Sequence, residues 1–484
     1  MRSTLLSLSV IWLMLASVPS PSAAGADGQV RYIAYQDASP IVTALHEALP
    51  PELRAARKSE LPSLWRSWVE RRDREIRVRL VQGDEDSIVN FLLFGTSFTR
   101  QPRITLSSLA RLGERFSQSG IASTPEGTSF LDSIKARADD LIQAMASTTA
   151  NERVLFARRV AESKGVDLKT ATGRQQGRDY LLSSLVRVLN EQSGYAKVLQ
   201  SAQLLGDSSA EFAERSKLFS NRGLSSDTSL LPNFAIERAL TSIKAQGMLA
   251  AGGIRRVGIV GPGLDFTDKQ DGYDFYPQQT IQPFAIIDTL FRLGLARASD
   301  LKVTTFDLSP RINDHIRRTR ARGQSGVSYV VQLPRDAQGQ WKPEAVNYWA
   351  RFGDQIGVRV APVSVPSGVG DVKVRAVRIR AAVAAAITPE DVNIVVQRLE
   401  TPGGDGFDLI IATNILVYYD VFEQSLALAN IEHMLKPGGF LLSNNALLEL
   451  PTSRMHSVGY ETVVYSEKPD DGDHIVWYRR AADK

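Results

Sequence analysis

The sequence predicts an α/β fold for the C-terminal half of the chain: a doubly wound, mostly parallel, seven-stranded sheet that ends in an antiparallel hairpin. After residue 252, short apolar runs rich in β-branched residues alternate with helical patterns, which is typical of βαβ units. The last two runs flank a strong turn sequence at 468–472, which predicts the hairpin. The predicted strands cover 256–260, 302–306, 392–396, 407–412, 439–443, 460–466 and 474–478.

A mainly α-helical domain of unknown role is predicted before this sheet, over residues 27–250. Apolar residues recur every three or four positions from Phe130 to Met145 and from Leu181 to Leu189, and a similar stripe begins at Trp65. We therefore divide the chain at residue 250. Within residues 251–484, the segment 308–391 is longer than one helix requires and is predicted to be an insertion.

Composition excludes several kinds of chemistry. The 484 residues include no cysteine, which rules out disulfides, thiolate zinc sites and a cysteine nucleophile. The five histidines are scattered and none pair at a metal-binding spacing, so no metal is expected. A net charge of +4 is small for this length and does not indicate nucleic acid as a partner.

The first 26 residues have the order of a secretory signal peptide. Arg2 precedes a short apolar run from Leu5 to Val18, and small residues follow at 23–26. We expect export to the periplasm or the medium. The alternatives are a buried N-terminal helix and an uncleaved, cytosol-facing anchor, which would be the chain's route to a membrane.

A glycine turn follows the first predicted strand, in the sequence Gly261-Pro262-Gly263-Leu264-Asp265. Glycines at this place let the backbone turn sharply and approach a ligand closely, although a plain turn explains the same pattern. Phe266 stands where the dinucleotide fingerprint has its third glycine, which disfavours a nicotinamide cofactor. The loop from Phe266 to Ile281 is expected to lie over the cofactor site.

The second predicted strand ends at Asp307, which is followed by Ser309 and Pro310. A carboxylate there can accept hydrogen bonds from both hydroxyls of a ribose. Ser309 and Pro310 are a good N-cap and first residue for the next helix. The alternative is that Asp307 only caps this helix.

Two later segments resemble class I methyltransferases. The strand Asp408-Leu409-Ile410-Ile411 leads to a polar Asn414, and Leu435-Lys436-Pro437-Gly438-Gly439 precedes an apolar strand. Within that class, residues 413–419 (Thr-Asn-Ile-Leu-Val-Tyr-Tyr) resemble the chemotaxis-receptor glutamate methyltransferases of the CheR type. The resemblance covers about residues 254–480. The chain departs from that family where Ile281-Gln282 replaces an acidic pair and Arg398 replaces an asparagine.

The resemblance implies S-adenosylmethionine as cofactor and a set of site residues. Asp307 would bind the ribose, Leu308 and Leu399 the faces of the adenine, and Asn414 the methionine end. Tyr418 and Tyr419 would line the acceptor pocket, although both are equally suited to the core. The full predicted cofactor set is Gly261, Pro262, Gly263, Asp265, Asp307, Leu308, Leu399 and Asn414.

Three functions follow from these observations. The first is a methyltransferase that O-methylates a carboxylate, such as one on a protein. The second is an exported, catalytically inactive protein that uses the fold for binding, with the helical half as an interaction module. It arises because S-adenosylmethionine is made in the cytosol, away from an exported chain. The third, an NAD-type oxidoreductase, is disfavoured by Phe266 and by the terminal hairpin.

Overall fold

The computed structural model describes residues 28–104, 125–205, 223–267, 272–401, 405–444, 446–468 and 471–482. The signal peptide predicted for residues 1–26 lies outside these residues. In the part of the chain that is described, no helix has both the length and the apolar character to cross a membrane.

The described strands and helices alternate through the C-terminal half. The strands are β1 Gln29–Tyr32, β2 Arg256–Val260, β3 Lys302–Asp307, β4 Tyr329–Asp336, β5 Gly357–Val360, β6 Val372–Ile379, β7 Ile387–Asp391, β8 Gln397–Glu400, β9 Phe407–Ala412, β10 Leu435–Ser443, β11 Met455–Val464 and β12 Gly472–Arg480. The helices are α1 Tyr35–Ala44, α2 Pro51–Arg54, α3 Leu61–Phe94, α4 Pro125–Ala146, α5 Glu152–Ser163, α6 Ala171–Leu205, α7 Leu231–Ala245, α8 Gln282–Arg292, α9 Pro310–Gln324, α10 Pro343–Arg351, α11 Ala381–Ala385 and α12 Val421–Met434.

Seven strands form the central sheet, in the order β11-β12-β10-β9-β2-β3-β7. The five strands from β10 to β7 run parallel, and β12 pairs antiparallel with both β10 and β11. This confirms the prediction of a doubly wound, mostly parallel sheet closed by a hairpin. The middle of the five parallel strands is β2, flanked by β3 and β9, so the order in which successive strands are added reverses there.

Helices cover both faces of the sheet. Alternate residues of each strand point to opposite sides, so each strand contributes buried side chains to both cores. On one face, Val257 and Ile259 of β2 pack in a core with α7, α8 and α9. On the other, Val260 of β2 packs in a core with α12 and with residues from the N-terminal half.

Helix α3 joins the N-terminal half to the sheet. Its first turns bury Trp65 and Trp68 in the core beneath β2 and β9, whereas Phe91 and Leu92 pack among α4, α5 and α6. The buried Asp73 on α3 accepts hydrogen bonds from Tyr32 of β1 and from Asn393 after β7, each at 2.9 Å. The helical stripes predicted in this half are confirmed, but packing crosses the predicted boundary at residue 250.

The predicted insertion carries its own antiparallel sheet, in the order β4-β6-β5. It also contains helix α10. In β6 basic and apolar residues alternate, with Lys373 and Arg378 exposed. Arg375 turns inward and donates to the backbone carbonyl of Phe352 at 3.1 Å. Strand β6 is therefore half-buried, with basic residues on its solvated face.

The position of the third parallel strand was predicted wrongly. The strand is β7, at Ile387–Asp391, and the apolar run 392–396 forms a turn instead. The Asn393 carbonyl oxygen accepts from the backbone of Val396 and Gln397, and its side chain accepts from Val395 at 3.2 Å. An asparagine side chain that bonds nearby backbone favours a turn over a strand. The run is apolar because it is buried, not because it is extended.

Candidate functional site

A cleft opens where the parallel strands β2, β3, β7 and β9 end. Ligand sites of open α/β sheets lie at this carboxyl edge, where the strand order reverses. The cleft holds about 970 Å³ of space, counted out to its open mouth and including solvent there. It is lined by Leu80, Leu224, Ser225, Ser226, Asp227, Thr228, Ser229, Pro232, Val260, Gly261, Gly263, Gln282, Phe306, Asp307, Leu308, Val392, Ile394, Thr413, Asn414, Ile415, Tyr418 and Tyr419.

The glycine turn after β2 forms the floor of the cleft. Gly261 and Gly263 have φ values of +66° and +64°, which side-chain-bearing residues rarely adopt. A Cβ on Gly261 would lie 2.1 Å from Ile415 Cδ1, and one on Gly263 would lie 2.9 Å from Thr228 Cβ. Both glycines are therefore required by conformation and by space. Pro262 between them is buried and does not line the cleft.

Asp265 lies outside the cleft, contrary to the prediction that it binds the cofactor. Its buried carboxylate accepts from Tyr276 Oη at 2.9 Å and from Gln279 Nε2 at 2.8 Å. Burial raises the pKa of Asp265 to about 6. The residue holds the loop after the glycine turn, which sequence spacing could not distinguish from a ligand contact.

The described part of that loop is anchored in the helical half. Phe266 packs against Phe91 and Phe156, with ring centroids 5.6 Å and 5.1 Å away. The buried Arg153 of α5 donates to the backbone carbonyls of Phe266 and Tyr276. None of the described residues of this loop, 266–267 and 272–281, lines the cleft, so the structure does not bear out the expectation that they lie over it.

Asp307 faces the cleft at the end of β3. Its Oδ1 accepts from the backbone N–H of Ser309 at 2.8 Å, so the residue shapes the start of α9 as well as lining the cleft. Burial raises the pKa of Asp307 to about 7, although the guanidinium of Arg311 opposes this. The carboxylate is thus partly protonated near neutral pH. The two roles weighed for Asp307 are compatible.

Two leucines were predicted to contact the adenine, and the structure separates them. Leu308 lines the cleft, but Leu399 lies on β8, which pairs with β1 away from it. Arg398 beside it forms ion pairs with Asp37 and Glu400, both at 2.8 Å. The apolar wall opposite Leu308 consists of Val392 and Ile394, because the third strand ends five residues earlier than predicted.

Asn414 after β9 lines the cleft in a strained conformation. Its φ of +59° is rare for a residue with a side chain, and among the described residues it is the one non-glycine with positive φ. Asn444 at the end of β10 holds it: the Asn444 Oδ1 accepts from the Asn414 backbone N–H at 2.8 Å, and the two side-chain amides also bond. Such strain concentrates at functional sites.

Gln282 at the start of α8 provides an acceptor in the cleft wall. Its Nε2 donates to Thr413 Oγ1 at 3.2 Å, while its buried Oε1 has no hydrogen-bond partner among the described residues. A buried carbonyl oxygen without a partner costs free energy unless a ligand or water donates to it. Gln282 was noted only as a departure from the family pattern.

Tyr418 and Tyr419 both line the cleft, at its side near α3. Tyr419 is also part of the core beneath the sheet, with Arg79 of α3 stacked 5.7 Å from its ring centroid. Arg79 Nη2 donates to the backbone carbonyl of Tyr418 at 3.0 Å. The pair therefore belongs to both the cleft and the core.

The N-terminal half supplies lining residues that the sequence did not reveal. Leu80 on α3 and the segment 223–229 lie across the cleft from β9. Asp227 pairs with Leu264 of the glycine turn in a parallel bridge, with Thr228 N donating to the Leu264 carbonyl at 3.0 Å. The serine-rich segment reads as an ordinary loop, so its sequence contained no signal for this role.

Fold and cleft together define a doubly wound α/β protein with a cleft at the switch point of its sheet, where ligands of such folds bind. No family model matches the chain, and no curated protein matches it.

Several solved methyltransferase structures are similar to parts of the chain. The N-methyltransferase NodS from Bradyrhizobium japonicum WM9 is 14% identical over 51% of this chain and 97% of its own, with a TM-score of 0.24. The glycopeptide N-methyltransferase MtfA, solved with S-adenosylmethionine, is 11% identical over 53% and 80%, with a TM-score of 0.21. The CurJ carbon methyltransferase is 12% identical over 93% and 98%, with a TM-score of 0.24. Similarities of this size do not assign an activity.

Proposed function

We propose that this chain is an S-adenosylmethionine-dependent methyltransferase with its cofactor in the cleft. One observation carries the proposal. Gly261, in a turn without side chains, and the acidic Asp307 lie at the ends of adjacent parallel strands and line the same cleft. A close backbone approach beside a carboxylate suits a nucleoside, because the carboxylate can accept from both ribose hydroxyls. The finer resemblance to chemotaxis-receptor enzymes stays a prediction.

The residues of the cleft fit this cofactor in kind. Leu308, Val392 and Ile394 give apolar walls for an adenine ring next to Asp307. At the other side of the glycine bend, the partnerless Oε1 of Gln282 and the strained Asn414 offer polar groups for the amino-acid end. These two environments match a ligand that is flat and apolar at one end and charged at the other.

When bound, S-adenosylmethionine supplies a methyl group activated by a sulfonium. The chain's own residues then act by positioning, since methyl transfer requires the acceptor atom in line with that group. Tyr418 and Tyr419 would orient the acceptor, and Leu80 and Leu224 would exclude water from above. In this proposal the two acids of the described lining, Asp227 and Asp307, bind the cofactor and are not free to act as a general base, so an acceptor that is already nucleophilic fits best.

The resemblance proposes a carboxylate as that acceptor, which fits the lack of a base because a carboxylate is ionised at neutral pH. The charge of the cleft limits when an anionic acceptor can bind. The charged residues of the described lining are two acids, Asp227 and Asp307, and like charges repel an anionic acceptor. A carboxylate would therefore enter after the cofactor occupies both acids, which gives an ordered mechanism.

The rival nicotinamide function is disfavoured by the backbone after the glycine turn. The next helix, α8, begins at Gln282, so no described helix starts at the glycine bend to bind a pyrophosphate. The exported, inactive binding protein stays an alternative proposal, supported by the signal-like residues 1–26. Cell fractionation with N-terminal sequencing tests it: a processed chain outside the cytosol argues against turnover.

Calorimetry on residues 27–484 tests the proposed function. We expect S-adenosylmethionine or S-adenosylhomocysteine to bind with a Kd of about 1–100 μM, or roughly −5 to −8 kcal/mol, and NAD to show no binding. Gly261→Ala should weaken binding strongly, because alanine rarely adopts its positive φ and because the added Cβ would displace Ile415, whose Cγ1 and Cδ1 would lie 2.8 Å and 2.1 Å away and whose side chain lines the cleft. Gly294→Ala is the matched control, since that glycine also has positive φ but has open space around it. Binding of NAD alone would contradict the proposal.

Binding should also depend on pH. Because burial raises the pKa of Asp307 to about 7, the carboxylate that accepts from the ribose is mostly protonated at pH 6. Affinity should therefore fall about tenfold from pH 8 to pH 6. Calorimetry at several pH values measures this, with Asp307→Asn as the variant whose residual binding should lack the dependence. A flat profile in the wild-type protein would remove Asp307 from the ribose site.

A further inference from the structure

The two acids of the cleft come from different halves of the chain. Asp307 ends β3, whereas Asp227 lies on the segment 223–229, which is bridged to the glycine turn. No lysine, arginine or histidine is among the described lining residues, and Arg311, which lies behind the lining, interacts with three acids at once, Asp84, Asp227 and Asp307, so the negative charge exceeds the positive. A cleft with this charge favours a ligand that carries positive charge.

Helix α3 fixes where Asp227 lies. A Cβ on Gly83 would lie 1.8 Å from the carbonyl oxygen of Leu224, and one on Gly223 would lie 2.4 Å from Gly83 N. The two backbones thus cross in direct contact, and Leu224 N donates to the Arg79 carbonyl at 3.1 Å. The segment is therefore held against both α3 and the glycine turn.

The Asp227 carboxylate has capacity for a ligand. Ser87 Oγ lies 3.0 Å from each of its oxygens, but one hydroxyl donates one hydrogen bond and a carboxylate accepts about four. The nearby Arg311 directs its Nη2 elsewhere: this nitrogen donates to Ser226 Oγ at 2.7 Å and lies 3.6 Å from Asp84 Oδ1. Asp227 is partly exposed, and it faces the cleft.

We propose that Asp227 binds the α-ammonium group of the cofactor's amino-acid end, with Gln282 Oε1 as a second acceptor. This inference rests on the proposed function, since it assumes S-adenosylmethionine in the cleft. The ammonium is a hydrogen-bond donor with a full charge, and Asp227 is the acid at the glycine-turn side, while Asp307 serves the sugar. The N-terminal half is then part of the cofactor site and not a separate module.

Two ligands distinguish binding of the ammonium group by Asp227 from a general effect of the substitution on the cleft. S-adenosylhomocysteine carries the ammonium, whereas 5′-methylthioadenosine has the same nucleoside and sulfur but lacks the amino-acid end. By calorimetry at pH 8, Asp227→Asn should raise the Kd of S-adenosylhomocysteine at least about tenfold, because one charge-assisted hydrogen bond is lost. The Kd of 5′-methylthioadenosine should stay within about twofold of the wild-type value. Asp227→Glu keeps the charge and should recover part of the affinity.

Asp84→Asn is the matched control, because Asp84 also lies beside Arg311 but does not line the cleft. It should change neither affinity. Equal weakening of both ligands in Asp227→Asn, no weakening of either, or the same weakening in Asp84→Asn would overturn the inference while leaving the proposed function standing. If the wild-type protein binds neither ligand, the proposed function itself fails, and the inference fails with it.

Discussion

Asp307→Ala is expected to weaken the binding of S-adenosylmethionine and S-adenosylhomocysteine at least about a hundredfold. The substitution removes a carboxylate that would accept two hydrogen bonds from the ribose, each worth about 1.5–3 kcal/mol when one partner is charged. The residue lies at the end of β3 with 9% of its surface exposed, so water replaces it poorly. Calorimetry at pH 8 measures the change, and 5′-methylthioadenosine should lose affinity equally because it shares the ribose.

Asp314→Ala on the exposed side of α9 is the control for Asp307→Ala. Its carboxylate pairs with Arg317 at 2.5 Å on the surface and does not line the cleft. Its binding affinity should equal that of the wild-type protein. Unaltered affinity in Asp307→Ala would show that Asp307 only shapes the start of α9.

A neutral residue at position 307 should weaken cofactor binding but raise the free energy of unfolding. A carboxyl whose folded pKa is raised stabilises the fold at low pH, and that contribution is lost as pH rises through about 7. Asp307→Asn keeps an acceptor for the Ser309 N–H and carries no charge, so it should raise stability at pH 8 by on the order of 2 kcal/mol. The contribution is lost progressively between about pH 4, the pKa in the unfolded chain, and about pH 7, so urea denaturation should show the largest gain at pH 8, a smaller one at pH 5 and the smallest near pH 4.

Gly83→Ala is expected to destabilise the protein by about 2–4 kcal/mol and to weaken cofactor binding as well. In an ordinary helix the same change stabilises by about 0.5–1 kcal/mol, because alanine loses less backbone freedom on folding. Here the added Cβ would lie 1.8 Å from the Leu224 carbonyl oxygen, so the segment that carries Asp227 must move. Urea denaturation and calorimetry on the same variant measure the two effects.

Gly177→Ala is the matched control, since Gly177 is also a helical glycine, on α6. The nearest atom to its added Cβ is Ile142 Cδ1 at 2.8 Å, the end of a side chain that can turn away. The free energy of unfolding of the Gly177→Ala variant should change by less than about 1 kcal/mol, and its affinity for the cofactor should equal that of the wild-type protein. If Gly83→Ala is as mild as this control, the contact between α3 and segment 223–229 does not position the cleft.

Much of the C-terminal half could be predicted because its signals are local. Alternating apolar runs gave the strands, the turn sequence at 468–472 gave the hairpin, and the positions of Gly261 and Asp307 at strand ends placed both at one edge of a parallel sheet. Each of these follows from short stretches of sequence and the geometry of βαβ units. The same reasoning failed at 392–396, where the residues are apolar because they are buried in a turn, and the sequence therefore resembled that of a buried strand.

The chain's sequence determined six of the seven strands of the sheet, its closing hairpin, and the glycine and acid that lie side by side at the edge of the cleft. Only the tertiary structure decided that Asp265 and Leu399 lie outside the cleft, and that Leu80 and Asp227 lie in it. The physical reason is separation along the chain. Contacts such as that of Gly83 with Leu224, or of Asp227 with Leu264, depend on how whole helices pack, which no local periodicity encodes.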